Sequence, residues 1–529
     1  MLTIPPKRPV RFFNTTGPCS PEDHYMLPPE ERLVGAQLHR YIRDKLYWAL
    51  HAPRQTGKTT FLKSWMREIN SGDEAVSCYV SIERCQGIHE SERSMPDMCK
   101  AIQDNASFFD LPVPDVKTTA PNSMLTETLA NWSALIAPKP LVVLFDEVDV
   151  LEGESLISFL RQLRGGFAGR GVGKFPVSVA LVGMRDLKDY ITQAKGGTPV
   201  NPGSPFNIKE DSVVLSNFTQ TDIEKLFAQR TEETGQAIDR DALDYVYEQS
   251  CGQPWIANSL FKRATMRVLH EDDYSNVTLA HISEAREQMI LARETHLDSL
   301  AVRIQEPAIR RVMESLITGT PDPELTASEG FRICMDLGLV KKERGTPTVA
   351  NPIYKETLAR QLTYSTQDAI PEPEWQWEKP DGSLDMDALL KEFQVFWRKN
   401  SEIWEQKSDY SEAFPHLLLM AFLQRVLNGG GRIEREYAAG RGRMDLAVEY
   451  NKKMYIIEIK LVHTYDTPEE VRKEGISQII KYRNSIDSNA PSYLVIFDRR
   501  DAAKGIPWDE KIYWQEEAAP GGMVTVVGC

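Results

Sequence analysis

The sequence predicts an α/β protein with two separate sheet-containing modules joined by a linker, and three observations carry that expectation. Short apolar, β-rich runs alternate with helical stretches through residues 31–215, the pattern of a parallel sheet covered by helices. Residues 366–382, TQDAIPEPEWQWEKPDG, hold three prolines and no apolar periodicity, which is the composition of a linker. Beyond it, amphipathic helices lead into a β-hairpin, another helix and an apolar strand at 492–497.

Length and composition agree. At ~100–200 residues per domain, 529 residues call for several cores. With 41% hydrophobic and 26% charged residues the chain is ordinary globular protein, which excludes wholesale disorder. The net charge of −14 excludes a dedicated nucleic-acid coat, so contact with nucleic acid needs a local basic patch. The seven cysteines form no C-x-x-C pair and no zinc spacing, so reduced thiols and a cytoplasmic location are expected. The longest uncharged apolar stretch, 175–184, falls short of the ~20 residues a membrane helix requires, and the opening MLTIPPKRPVRFFNTTG lacks the apolar core of a secretory signal.

In chain order, residues 1–30 are proline-rich and read as an irregular arm over the next domain. Strands are expected at 47–51, 76–82, 141–145 and 178–182 within a core of residues 31–215. Residues 216–280 read as helices alone, one starting at a Thr cap and ending at Gly235, the next starting near Asp239. Residues 281–365 are helical until ASEGFRICMDLGLVKKERGTPTVANPIY, a helix followed by two short strands, the order of a winged helix. After the linker, residues 383–529 form the second module, with helices at 386–406 and 410–427.

The first motif is LYWALHAPRQTGKTTFL. An apolar strand ends at His51, the loop Ala52, Pro53, Arg54, Gln55, Thr56, Gly57 follows, and a helix begins with Lys58, Thr59 and Thr60. G-x-x-x-x-G-K-[ST] matches at Gly57, Lys58 and Thr59, with Ala52 in place of the first glycine. Gly57 lets backbone N–H groups turn onto phosphate oxygens, Lys58 reaches the β- and γ-phosphates, and the Thr59 hydroxyl suits Mg²⁺. The second motif, KPLVVLFDEVDVL, is a hydrophobic strand ending in Asp146-Glu147, 88 residues after Lys58. An acid there suits Mg²⁺, and the following Glu147 suits polarisation of an attacking water.

These two motifs, the strand VSVALVGMRD and the later CGQPW resemble the STAND and origin-recognition-like branch of AAA+ ATPases over residues 8–365. The resemblance implies a P-loop parallel sheet with a helical lid and winged helix, ATP and Mg²⁺ as cofactors, and a homo-oligomer under ATP. It implies that Arg185 is a sensor facing the γ-phosphate and that the turn Gly252-Gln253-Pro254 contacts the nucleotide base. Arg161, Arg164 and Arg170, which flank glycines, are candidates for an arginine acting in trans. Lys341, Lys342 and Arg344 stand at the tip of the expected wing and suit a backbone contact. Ala52 departs from the family pattern while preserving a small volume in the turn.

The hairpin is GRGRMDLAVEYNKKMYIIEIKLV. With Asn451-Lys452 as a two-residue turn, Met444 opposes Ile459, Leu446 opposes Ile457 and Val448 opposes Tyr455, which makes one apolar face. The other face then sets Asp445 across from Glu458, with Lys460 one step along. Facing like charges destabilise a strand pair unless a cation bridges them. D…E-x-K on a hairpin resembles the PD-(D/E)XK nuclease superfamily, here over residues 386–510. The resemblance implies a restriction-endonuclease-like fold, with Asp445 and Glu458 as Mg²⁺ ligands and Lys460 acting on the attacking water. It implies Glu412 as a further metal ligand and Gln478 and Tyr482 as a helical Q-x-x-x-Y. Cleavage of nucleic acid, DNA first, follows from it, and such fusions are typical of mobile-element and anti-phage systems. The same residues also fit a nucleotide-switched module that grips DNA or a protein partner through a structural Glu458–Lys460 pair without cutting.

Overall fold

The computed structural model describes residues 11–33, 36–184, 209–270, 273–292, 297, 300, 302–317, 323–358, 377–405, 415, 418–420, 422–423, 431–439, 442–462, 466–485, 489–498, 500 and 507–529. The chain divides into two compact units. The first holds Met1–Glu294, Arg332–Lys341 and Ala350–Ile353; the second holds Thr295–Phe331, Lys342–Val349 and Tyr354–Cys529.

The first unit is built on strands β1 (Tyr47–His51), β2 (Val76–Ser81), β3 (Leu141–Asp146), β4 (Ser178–Gly183) and β5 (Lys209–Val214), in the spatial order β2-β3-β4-β1-β5. The strand pairs all run parallel. A parallel sheet is buried on both faces, which is why the three inner runs, β3, β4 and β1, are almost wholly apolar. Successive side chains point to opposite faces. Tyr47 and Ala49 therefore join Val143, Phe145 and helices α3 (Ser91–Phe108), α4 (Pro121–Ile136) and α5 (Gly153–Phe167) in one core. Trp48 and Leu50 join Val142, Leu144 and helix α2 (Lys58–Ser71) in the other, after the short helix α1 (Leu38–Arg43). The expected strands are present, and β5, with the charged sequence KEDSVV, is an addition at the sheet edge.

Helices α6 (Gln220–Thr234), α7 (Arg240–Ser250), α8 (Pro254–Arg263) and α9 (Leu279–Leu291) follow. Thr219 and Asp222 form a capping box at the start of α6, and Gly235 closes it in the left-handed conformation. Gly252 holds φ +73°, and a Cβ there would lie 1.9 Å from the Phe218 carbonyl oxygen. Only glycine meets both requirements. The segment 11–33 is irregular, as expected, and Phe13 packs against Phe227 and Phe261 of the helical segment.

In the second unit, α10 (Pro307–Ile317) lies ahead of a six-stranded sheet ordered β12-β13-β11-β10-β9-β8. Its strands are β8 (Gly431–Ala439), β9 (Gly442–Tyr450), β10 (Lys453–Val462), β11 (Ser492–Asp498), β12 (Trp514–Ala519) and β13 (Gly522–Gly528). Between the two in the chain, and divided between the units, stands the expected helix-and-two-strand order, α11 (Glu329–Asp336), β6 (Val340–Glu343) and β7 (Thr346–Val349). Strand β11 again alternates. Leu494 and Ile496 share a core with Ile479 and Tyr482 of α13 (Pro468–Ser485), while Phe497 meets Phe393 and Trp397 of α12 (Met386–Glu405). Gly475 lets α13 approach the sheet: a Cβ there would lie 2.4 Å from Leu494 Cδ1. Most of the second expected helix, 410–427, lies outside the described residues.

Candidate functional site

The loop after β1 has phosphate-cradling geometry. Gln55 and Gly57 both take positive φ, 59° and 95°, and α2 begins directly at Lys58. Its first-turn amides are thus free of helical partners and carry the positive end of the helix dipole. Ala52, where the motif has its first glycine, is buried in the sheet core, and its N–H donates to the Gly183 carbonyl at 3.3 Å. Lys58 Nζ donates to the carbonyls of Ala52 (2.7 Å) and Pro53 (2.9 Å), and the Thr56 hydroxyl donates to Pro53 O at 2.8 Å. Burial pushes the Lys58 ammonium pKa down, and the charges of Asp146 and Asp149 pull it back up. Arg54 and Gln55 are exposed at the loop tip.

The parallel sheet brings the end of β3 to this loop. Thr59 Oγ1 donates to Asp146 Oδ2 at 2.7 Å, and Asp146 is only 1% exposed. Tyr79 OH donates to the same oxygen at 3.2 Å, and the Glu147 N–H donates to Asp146 Oδ1 at 3.0 Å. Glu147 takes φ 62°, and Ser81 Oγ donates to its Oε2 at 2.9 Å. Burial pushes the Glu147 carboxyl pKa up, the Ser81 hydrogen bond lowers it, and Asp146 raises it further. Asp149 is also raised by burial, with Lys58 opposing. A hydroxyl and a buried carboxylate side by side at a phosphate loop suit the hard oxygen coordination of a nucleotide-bound Mg²⁺.

The helical segment and the arm close on the same loop. Gln253 caps α8 by accepting from the Ile256 N–H at 2.6 Å, and its Nε2 donates to Gln55 O at 3.3 Å. Pro254 occupies the first turn of α8. Thr60 Oγ1 accepts from the Cys19 N–H at 3.1 Å, while Thr15 accepts from Trp255 Nε1 (2.9 Å) and Lys262 Nζ (3.1 Å). Gly338 comes so near the loop that a Cβ would lie 2.6 Å from Pro53 Cβ. Tyr79 and Ser81 belong to no motif, and Asp149, though within KPLVVLFDEVDVL, is not marked by the sequence as part of this site. Arg185 lies outside the described residues. Arg170 is committed within the chain: its guanidinium stacks 3.7 Å from the Phe167 ring centroid and donates to Lys45 O at 2.6 Å. Arg161 and Arg164 are exposed on α5.

The second cluster is the hairpin. Asn451 and Lys452 have φ of 46° and 65°, the two left-handed residues of a type I′ turn. The observed register pairs Tyr455 with Val448 and Ile457 with Leu446, as alternation predicts. One residue further along each strand stand Asp445 and Glu458. The side chain of Asp445, and Glu412 altogether, lie outside the described residues. The Glu458 side chain is 4% exposed, and Lys460 Nζ lies 3.5 Å from its Oε1. On α13, Glu474, which the sequence did not single out, accepts from Lys460 Nζ at 3.1 Å and from Gln478 Nε2 at 3.4 Å. Gln478 Oε1 is enclosed without a hydrogen-bond partner among the described residues. Tyr482 is buried in the core between α13 and the sheet. Among the described residues no group of three or more His, Cys, Asp or Glu is gathered to hold a metal, and no helix is long and apolar enough to cross a membrane.

Residues 410–497 match the family model described as the PD-(D/E)XK nuclease superfamily. Among solved structures the chain is similar to the Walker-type ATPase PABY2304 of Pyrococcus abyssi, at 14% identity and a TM-score of 0.46 over 65% of this chain and 99% of that one. It is also similar to the RuvB Holliday junction branch migration motor of Thermotoga maritima, at 15% identity and a TM-score of 0.32 over 60% and 90% of the two chains. For Cdc6p of Pyrobaculum aerophilum the values are 12% and 0.33 over 63% and 91%. No curated protein matches the chain. The first unit is thus a five-stranded parallel sheet with a phosphate-cradling loop after β1, and residues 410–497 of the second match the PD-(D/E)XK nuclease superfamily model.

Proposed function

We propose that this protein is an ATP-hydrolysing AAA+ protein whose second unit is a Mg²⁺-dependent nuclease acting on DNA. The observation that carries the ATPase half is the Thr59–Asp146 contact of 2.7 Å at a loop with left-handed Gly57. Lys58 binds the β- and γ-phosphates, and the Thr56–Thr59 amides cradle them. Thr59 and Asp146 would hold the cation, which would supply neutralisation of developing phosphate charge. Glu147, whose pKa burial raises, accepts the proton of the attacking water. Arg185 faces the γ-phosphate, the turn at Pro254 and the arm enclose the base, and Arg164 or Arg170 completes a neighbour's site.

In the second unit Asp445, Glu458 and Glu412 hold the cation, which would polarise the phosphodiester and its water. Lys460 positions that water, and Gln478 supports the site from α13. What supports this reading is the buried Glu458 beside Lys460, on a hairpin paired as far as Ile457–Leu446, within a segment matching the nuclease superfamily. The helix and two strands at 329–349 form a winged helix that meets the DNA backbone through Lys341, Lys342 and Arg344. A cytoplasmic role in mobile-element or anti-phage defence fits such a fusion.

The test is cleavage of plasmid DNA by the purified full chain with Mg²⁺, against Glu458→Gln and Asp445→Asn. Cleavage by wild type alone supports the nuclease. Cation-independent DNA binding with no cutting would support the second reading, favoured by the Glu474–Lys460–Glu458 ion pairs, of a domain that only grips DNA.

A further inference from the structure

Arg32 is a charged side chain that is only 7% exposed, and its acceptors are main-chain carbonyls. Its Nη2 donates to Thr56 O in the phosphate loop at 2.7 Å. Its Nε donates to Ser216 O, at the entrance to the helical segment, at 2.8 Å, and Nη2 reaches the same oxygen. The guanidinium lies 4.8 Å over the Phe218 ring. Ser216 returns two bonds, its N–H and hydroxyl donating to Arg32 O at 3.1 and 2.8 Å. A Cβ on Gly57 would lie 3.4 Å from Arg32 Nη1, so the guanidinium forms the outer wall of the loop. The preceding loop carbonyl, Gln55 O, is held by Gln253.

In a planar trans peptide the C=O of one residue and the N–H of the next point to opposite sides. Holding the Gln55 and Thr56 carbonyls on the outer side therefore turns the Thr56 and Gly57 N–H groups toward the inner side, where phosphate oxygens are cradled. A buried guanidinium is costly unless its donors are satisfied. Here the donors meet carbonyl dipoles, and the fork spans two carbonyls 160 residues apart in the chain, which a lysine point charge does not do.

We propose that Arg32 is a positioning residue that preorganises the phosphate-loop amides and couples them to the helical segment, so that triphosphate affinity depends on it without direct contact. The proposal rests on the ATP-binding reading above. Its test is equilibrium binding of ATP and of AMP, which lacks the β- and γ-phosphates, to the full-length protein and to Arg32→Met and Arg32→Lys. Hydrogen exchange across the phosphate loop and β1 is followed in parallel. A lost charged hydrogen bond predicts that Arg32→Met weakens ATP binding roughly ten- to a hundredfold, with AMP changed less than about threefold. Exchange should rise in the loop and stay unchanged in β1. Arg32→Lys should fall between, and it carries the test if Arg32→Met does not fold. ATP affinity equal to wild type in a folded variant, or equal losses of ATP and AMP, would overturn the positioning role alone. A wild type with no ATP affinity, matched by Lys58→Ala, would overturn the nucleotide reading and this proposal with it.

Discussion

Glu147 is held in a left-handed backbone conformation at φ 62°. Such a residue costs of order 1–3 kcal/mol and persists where the surroundings over-determine it. The surroundings here are Asp146, which accepts its N–H, and Ser81, which donates to its carboxylate. If Glu147 is the base, Glu147→Gln binds ATP as wild type does and loses turnover by roughly 10²–10⁴-fold, measured as steady-state phosphate release. Its carboxyl pKa is raised by burial, so the ionised form appears at a higher pH than for an ordinary glutamate. ATP turnover should therefore fall on acidification with a midpoint above the usual glutamate range. Ser81→Ala removes a bond that lowers this pKa, so that midpoint should move up further. A midpoint unmoved by Ser81→Ala would show that Glu147 does not govern the limb. Lys58→Ala removes the charge facing the phosphates and should abolish ATP binding by calorimetry.

At the scale of elements, α13 depends on a glycine. Gly475→Ala puts a methyl 2.4 Å from Leu494 Cδ1 and should destabilise the second unit by ~1–3 kcal/mol. The check is hydrogen exchange: β11 and α13 should lose protection while β1 and β3 do not. If the nuclease reading holds, Lys460→Ala should keep cation binding and lose most cleavage, because the proposed role of this ammonium, 3.5 Å from Glu458 Oε1, is on the attacking water rather than on the ion. Unchanged cleavage would remove Lys460 from the chemistry. These elements differ in how well the sequence announces them. The hairpin register follows from period-two alternation, because an apolar face tolerates no one-residue slip. The phosphate loop and the acid strand are legible because their chemistry fixes residue types at short spacing. Strand β5 is not, since KEDSVV is an edge strand that opens with three charged residues in place of an apolar run. Nor are Arg32, Ser81 and Glu474, whose partners lie 24 and 184, 66, and 14 residues away and meet only through the fold.

For the whole molecule, the proposed pairing of an ATPase with a nuclease makes two separate predictions. If an arginine of a neighbour completes the ATP site, turnover per chain should rise with protein concentration, and Arg164→Ala should remove that rise while retaining ATP binding. Arg170 is tied to Phe167 and Lys45 within its own chain, so Arg170→Ala should act on stability as well. Turnover independent of concentration, with a monomer under ATP by light scattering, would contradict assembly. The central claim, however, is that one chain carries both a nucleotide switch and a cutting site. The most direct measurement is plasmid cleavage by the full-length chain in Mg²⁺, with and without ATP, beside Glu458→Gln and Lys58→Ala. The expected result is cleavage by wild type that requires Mg²⁺ and changes with ATP, none by Glu458→Gln, and ATP-insensitive cleavage by Lys58→Ala. Intact plasmid under every condition, or cleavage that persists undiminished in Glu458→Gln, would contradict it.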